Sequence, residues 1–222
     1  MMQLAVIFDV DGVLVDSYSA HFESWLGLAK ESGFEFTEPQ FAVSFGRTSR
    51  DIIAQLWGEG RSDEEIARMD ARKEALYREI ITRDFPAMDG ARELIAALKS
   101  AGFKLAVGSS GPPENIAIAL SGLGCREAFD TTINGMQVQR GKPDPQVFLL
   151  ASQALNVPPE RCAVVEDAPA GVEAARRAGM TAIALTGTAA RAQLARAHRI
   201  VDSLRELSPE SIADVIAHHA DK

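Results

Sequence analysis

An α/β fold, in which a doubly wound parallel sheet carries an all-helical insertion, is what this sequence predicts. Three observations point to it. Short apolar, β-branched runs recur at Leu4 to Phe8, Leu105 to Val107, Ala163 to Val165 and Thr181 to Leu185, the pattern of strands buried on both faces. Helical patterns lie between them, and regular alternation of strand and helix builds a parallel sheet. The third observation is one long break in that alternation. From about Ser17 to Arg83 there are several helical patterns and no strand-like run.

The first strand runs into Asp9-Val10-Asp11-Gly12-Val13, and the insertion begins after Asp16. Inside it, Ser62 followed by Glu65 is a capping-box pattern. Ile66, Met69, Leu76, Tyr77, Ile80 and Ile81 then recur at helical spacing and give an amphipathic helix. Pro86 and the Met88-Asp89-Gly90 turn mark the return. Gly90 to Ser100 sets Leu94, Ile95 and Leu98 on one face with Gly102 as the stop. Asp144 to Leu155, and Pro169 to Ala178 stopped by Gly179, supply two more helices. Leu194 to Val201 and a closing helix around Ser208 to His218 complete the layer. A length of 222 residues, about one and a half domains of typical size, therefore divides into a core of residues 1–16 and 84–222 and a helical insertion of residues 17–83.

Composition narrows the function classes. The formal net charge of −8 disfavours binding to nucleic acid or to an anionic membrane. No apolar run approaches the roughly 18 residues that cross a bilayer, and Met1 to Val6 shows no basic segment leading into a cleavable apolar one. A cytoplasmic protein is expected, a monomer or weak homodimer. Cys125 and Cys162 form no disulfide framework and no zinc site, and Cys162 opens the apolar run of a buried strand as a core thiol.

Chemistry gathers at four places. Asp9 and Asp11 sit two residues apart at a strand's carboxyl end, where extended geometry points both carboxylates to one side and Gly12 permits a sharp turn. Ligands of parallel α/β sheets bind at that edge. Ser109 and Ser110, after the second strand, offer hydroxyls and backbone N–H groups for phosphate oxygens, unless they only cap the next helix. Lys142 precedes a helix, where the dipole gives a cation no advantage, so an anion facing it explains it better than a solvated proline turn does. Glu166 and Asp167 end another buried strand; adjacent acids repel unless a cation joins them, although Asp167 alone could be a helix cap. Together Asp9, Asp11, Glu166 and Asp167 make an all-oxygen site of the sort Mg2+ prefers, with Lys142 and Ser109 beside it for an anion.

With these four motifs in order, the chain resembles the haloacid-dehalogenase-like superfamily, in its phosphatase and β-phosphoglucomutase-like branch with a helical cap after the first strand. The resemblance covers nearly the whole chain and implies a Rossmann-like core. It also implies that Asp9 is the nucleophile, forming an aspartyl-phosphate. Asp11 is then acid to the leaving alcohol and base to the attacking water, with a pKa raised enough to carry a proton. Mg2+ is held by Asp9, the Asp11 backbone carbonyl and Asp167, with Glu166 a ligand or just behind one. Charge supports a metal separately: with Asp11 neutral, three carboxylates face one ammonium, and a divalent cation cancels the excess before a phosphate dianion enters.

The resemblance also marks substrate-facing positions in the cap: His21, Arg47, Arg50 and Lys73. For each there is a plainer alternative, a structural imidazole at His21 and solvated helix charges at the other three. The mutase pattern expects an arginine three residues after Gly46, where this chain has Ser49. The expected activity is Mg2+-dependent hydrolysis of small phosphomonoesters, of the sugar-phosphate or phosphoglycolate type. A β-phosphoglucomutase-like isomerase is the alternative, and dehalogenation leaves Asp11 without a use. A phospho-accepting signalling module shares an acidic pocket and a lysine on a doubly wound sheet, but has no use for a cap.

Overall fold

The computed structural model describes residues 3–44 and 47–220. Gly46, which leads the cap loop singled out above, lies outside the described residues. The chain forms two compact units, Met1–Asp16 with Ala87–Lys222, and Ser17–Pro86.

The larger unit is a six-stranded sheet ordered β3-β2-β1-β4-β5-β6, every neighbouring pair parallel. Its strands are β1 Ala5–Phe8, β2 Lys104–Gly108, β3 Thr131–Ile133, β4 Cys162–Glu166, β5 Thr181–Leu185 and β6 Arg199–Val201. The four runs read as buried strands are the four inner strands, and β1, β4 and β5 are buried throughout. Strand order reverses between β1 and β4, with Phe8 opposite Val165. Their carboxyl ends therefore open the crevice where such sheets take ligands. Cys162 is a buried core thiol, its pKa pushed up to about 12 by burial.

Helices α5 Ala91–Ser100, α6 Pro113–Leu123, α7 Gln146–Leu155, α8 Pro169–Arg177 and α9 Pro209–Ala220 belong to this unit. α7 starts two residues later than the sequence suggests, because the Asp144 carboxylate accepts the Gln146 N–H at 3.0 Å and closes a turn ahead of it. Opposite the ligand edge, Asp130 ties the sheet together. Its carboxylate accepts the Leu105 N–H at 2.9 Å and the Lys99 and Lys104 ammonium groups at 3.0 Å each.

Burial alone would raise the Asp130 pKa, but the amide and the two lysines hold it at about 2. A depressed carboxyl pKa stabilises the fold above its unfolded value of about 4 and ceases to do so as pH falls toward the folded value. Asp130→Asn is therefore expected to cost about 1 kcal/mol at neutral pH, a typical value for one hydrogen-bonding group in a solvent-screened setting. Urea unfolding at pH 7 and again near pH 3 should show the gap to wild type narrowing at the lower pH; an unchanged gap would count against this role.

The smaller unit holds α1 Tyr18–Ser32, α2 Glu38–Ser44, α3 Ser49–Trp57 and α4 Asp63–Ile81, and no strand is found among its described residues. Ser62 and Glu65 form the reciprocal capping box in which each side chain meets the other's backbone N–H. α1 packs on α4, and Trp25, Leu28, Phe36, Phe41, Ile53 and Trp57 fill the core between the helices. α4 ends at Ile81, and the chain stays with this unit through Pro86. Ala87 then rejoins the larger one by bridging Val15, three residues beyond the boundary expected from the sequence.

Candidate active site

Two neighbouring strand ends assemble the site. The Asp9 N–H donates to the Val165 carbonyl at 3.0 Å, which continues the β1–β4 ladder one residue past β1 and sets Asp9 beside Glu166 and Asp167. Carboxylate oxygens of the three buried acids lie within 4.8 Å of one another. The Lys142 ammonium donates to Asp9 Oδ1 at 2.8 Å and to Glu166 Oε1 at 2.6 Å, and it lies 5.0 Å from the centre of the Phe148 ring. Its side chain is only 6% exposed, so it is no solvated lysine.

Both Glu166 oxygens are engaged. While Oε1 takes Lys142, Oε2 accepts the backbone N–H groups of Asp167 and Ala168 at 2.9 and 3.0 Å. α8 is capped by Ala168 and not by Asp167, which removes the helix-cap alternative. The Asp167 Oδ2 atom is buried and has no hydrogen-bond partner among the described residues. A buried carboxylate oxygen without a donor is costly, and a cation is the natural remedy for one.

Burial dominates the electrostatics. It raises the Asp9 carboxyl to about 7, with Lys142 opposing and Glu166 and Asp11 adding to the rise. It also raises Asp167, reinforced by Glu166 and Asp9. Burial would lower the Lys142 ammonium, but the facing Asp9 and Glu166 carboxylates outweigh it and hold it above its ordinary value.

Two glycines make this crowding feasible. Gly12 turns at φ 74°, and a Cβ there would run into the Asp167 carboxylate. Gly171, in the first turn of α8, leaves room for the Glu166 carboxylate, which a Cβ would overlap. Gly171→Ala should gain about 1 kcal/mol of helix propensity and lose more through the displaced carboxylate, for a net cost of about 2 kcal/mol. Denaturant unfolding checks this, and wild-type stability would show that Glu166 is not held there.

Ser109 is buried after β2, and its hydroxyl accepts the Gly111 N–H at 3.0 Å. The Asp11 Oδ2 atom lies 4.0 Å from the position a Gly111 Cβ would take, so Asp11 and this turn face each other. α6 is capped at Pro112, which excludes the serines as mere caps; Ser110 is half-buried. One residue here escaped the sequence reading. Thr188, in the loop after β5, faces the Asp167 carboxylate and opposes the rise that burial gives its pKa, and its Oγ1 lies 2.8 Å from where a Gly12 Cβ would be. A Thr-Gly-Thr stretch after a strand reads only as a turn.

In the helical unit the structure joins two of the four marked residues. The Lys73 Nζ lies 2.8 Å from the His21 Nδ1, and the residue is 3% exposed, so the solvated-charge alternative fails for Lys73. Arg47 and Arg50 are exposed. Arg47 donates to Gln55 at 2.6 Å, and Arg50 pairs loosely with Asp63 at 3.7 Å.

A doubly wound parallel sheet with a lysine-bridged carboxylate cluster at its switch point is the architecture of an α/β enzyme. The haloacid dehalogenase-like hydrolase family model matches residues 4–179, and the chain belongs to that family, in its phosphatase and phosphoglucomutase-like branch. It is 35% identical over 211 residues to the validoxylamine A 7'-phosphate phosphatase of Streptomyces hygroscopicus subsp. limoneus, covering 93% of this chain and 96% of that one. It is 34% identical to the phosphorylated carbohydrates phosphatase of Thermotoga maritima, covering 81% and 83%. The crystal structure of β-phosphoglucomutase from Clostridium difficile superposes with a TM-score of 0.89 at 27% identity, covering all of both chains.

Proposed function

We propose that the chain is a Mg2+-dependent phosphatase acting on small phosphomonoesters, of the sugar-phosphate or phosphoglycolate type, through an aspartyl-phosphate on Asp9. The observation that carries this reading is the Lys142 bridge between Asp9 and Glu166, set beside an Asp167 oxygen that lacks a donor. The phosphatases among its relatives support the substrate class.

Asp9 attacks phosphorus with a carboxylate oxygen while Lys142 fixes its other oxygen. Asp11 protonates the departing alcohol, then takes the proton of the water that hydrolyses the intermediate. The Ser109 hydroxyl and the N–H groups of the turn through Ser110 hold the phosphate oxygens. Asp9, Asp167 and the Asp11 backbone carbonyl would hold Mg2+. Glu166 stands behind them, because both its oxygens already serve Lys142 and two amides. Neutralising the charge of the pocket and of the transferring phosphoryl group is what the bound ion supplies. His21, Lys73, Arg47 and Arg50 would contact the organic part of the substrate, a small phosphorylated metabolite. No described helix is long and apolar enough to cross a membrane; we place the protein in the cytoplasm.

Phosphate release across a metabolite panel, with Mg2+ and then with EDTA, tests the proposal. Activity should fall by roughly a hundredfold or more without the metal, as expected when a main electrostatic contributor is removed; indifference to EDTA would overturn it. The likeness to β-phosphoglucomutase favours a second reading, which the same assay separates. A hexose 1-phosphate converted to its 6-phosphate isomer, with no free phosphate, would establish the mutase.

A further inference from the structure

The helical unit buries more charge than a specificity surface needs. On α4, Lys73 is 3% and Glu74 is 9% exposed, although they are sequence neighbours on a helix whose first turn is fully acidic and solvated. Glu74 Oε1 accepts from Lys73 Nζ at 3.0 Å and from Ser49 Oγ at 2.6 Å. Ser49 opens α3 directly after its cap, Thr48, so this one oxygen ties the start of α3 to the middle of α4. The Lys73 ammonium lies 5.6 Å from the Trp25 ring centre and 5.4 Å from that of Tyr77. Tyr77 in turn stacks on His21 at 3.9 Å with the rings 4° from parallel. Position and plane of the imidazole are both fixed.

Hydrogen-bond inventory then decides its protonation. An ammonium has donors only, so the contact with Lys73 at 2.8 Å makes His21 Nδ1 the acceptor. An imidazolium would set two donors against each other at that distance. With the Nδ1 lone pair facing that ammonium, Nε2 is the ring nitrogen left to carry a proton. Glu74 accepts from this ammonium at 3.0 Å, and Asp70, one turn earlier on α4, also acts on Lys73 and on Ser49. A neutral amine could accept from Nδ1–H, and the tautomer would swing.

We propose that Glu74, held by Ser49, is a positioning residue: it pins the Lys73 ammonium against His21 Nδ1 and locks His21 as an Nε2–H donor. The tautomer lock stands on the geometry alone. Its kinetic consequence rests on the reading of His21 and Lys73 as substrate contacts. As a locked donor, His21 gives a hydrogen bond to a substrate oxygen and takes no proton, which leaves acid-base work to Asp11.

The test is 15N-detected NMR of histidine-labelled protein, with the His21 signals identified by their loss in His21→Asn, alongside kinetics on glucose 6-phosphate. Wild type should show an unprotonated Nδ1 and a protonated Nε2. Glu74→Gln should shift His21 to the Nδ1–H form or a mixture, with KM rising roughly tenfold, the size of one charge-assisted hydrogen bond, and kcat falling less. Ser49→Ala, a milder change if Glu74→Gln fails to fold, should shift the tautomer partway, and Ser49→Thr should restore it. An Nδ1–H tautomer in wild type, or His21 signals in the folded variants identical to wild type, would overturn the inference. A tautomer shift in a protein that hydrolyses no phosphomonoester would support the lock and overturn the phosphatase reading.

Discussion

Asp9→Asn should remove phosphatase turnover, by roughly four orders of magnitude or more, while the protein stays folded. Losses of that size follow when a covalent nucleophile is deleted, and the amide matches the carboxylate in shape but has no anionic oxygen to attack phosphorus. Lys142 keeps Glu166 as a partner at 2.6 Å, so the ammonium is not stranded. Without metal the variant should be as stable as wild type or somewhat more so. Asp9, Glu166 and Asp167 crowd their oxygens within 4.8 Å, and the substitution takes one like charge out of a buried cluster. Two measurements check this, phosphate release with Mg2+ and thermal unfolding in EDTA. Near-normal turnover would remove Asp9 from its proposed role, and a large loss of stability would show that it is a structural acid.

The core of the candidate site was legible because its residues lie where the sequence punctuates itself. Asp9, Ser109 and Glu166-Asp167 each end a β-branched run, and a parallel sheet delivers all such ends to one edge. Spacing along the chain could not say which carboxylate is the more fully hydrogen-bonded. The surroundings of Glu166 and Asp167 differ because the backbone turn after β4 points two N–H groups at Glu166 Oε2. Thr188 was missed for a related reason. A lone hydroxyl in a turn has no pattern until the fold brings it to Asp167.

Elsewhere the limits are of periodicity. β3 is three residues long, Thr-Thr-Ile, at a sheet edge, too short and too polar to separate from a loop. α6 did carry a signal, since Ile116, Ala119, Leu120 and Leu123 are buried at helical spacing, but its Pro-Pro start and apolar composition hid it. In the helical unit the amphipathic pattern of α4 correctly marks Ile66, Tyr77 and Ile81 as buried. It says nothing of Glu74 and leaves a solvated charge open for Lys73, because hydropathy cannot foresee that a pair of opposite charges will be buried together, with Ser49 bonded to Glu74.

Lys142→Met should cost both stability and activity, and separating the two locates the function of the lysine. Its ammonium is the cation that bridges Asp9 and Glu166. Methionine keeps an unbranched side chain of similar length but leaves two buried carboxylates uncompensated. Breaking a buried ion pair from one side costs about 3–5 kcal/mol, so a large fall in unfolding temperature is expected in EDTA. Part of that fall should be restored by Mg2+, which supplies positive charge to the same acids. The double variant Lys142→Met with Glu166→Gln removes one stranded charge and should recover much of the stability, with strong non-additivity between the two sites. Activity should not return. The pocket that remains keeps Asp9 and Asp167 but lacks the ammonium that holds Asp9 Oδ1 and offsets the incoming phosphate, and roughly a thousandfold deficit should persist, the scale of losing a preorganised electrostatic contact. Full activity in the double variant would mean that Lys142 only balances buried charge. A stable but inactive double variant would identify it as part of the reacting site.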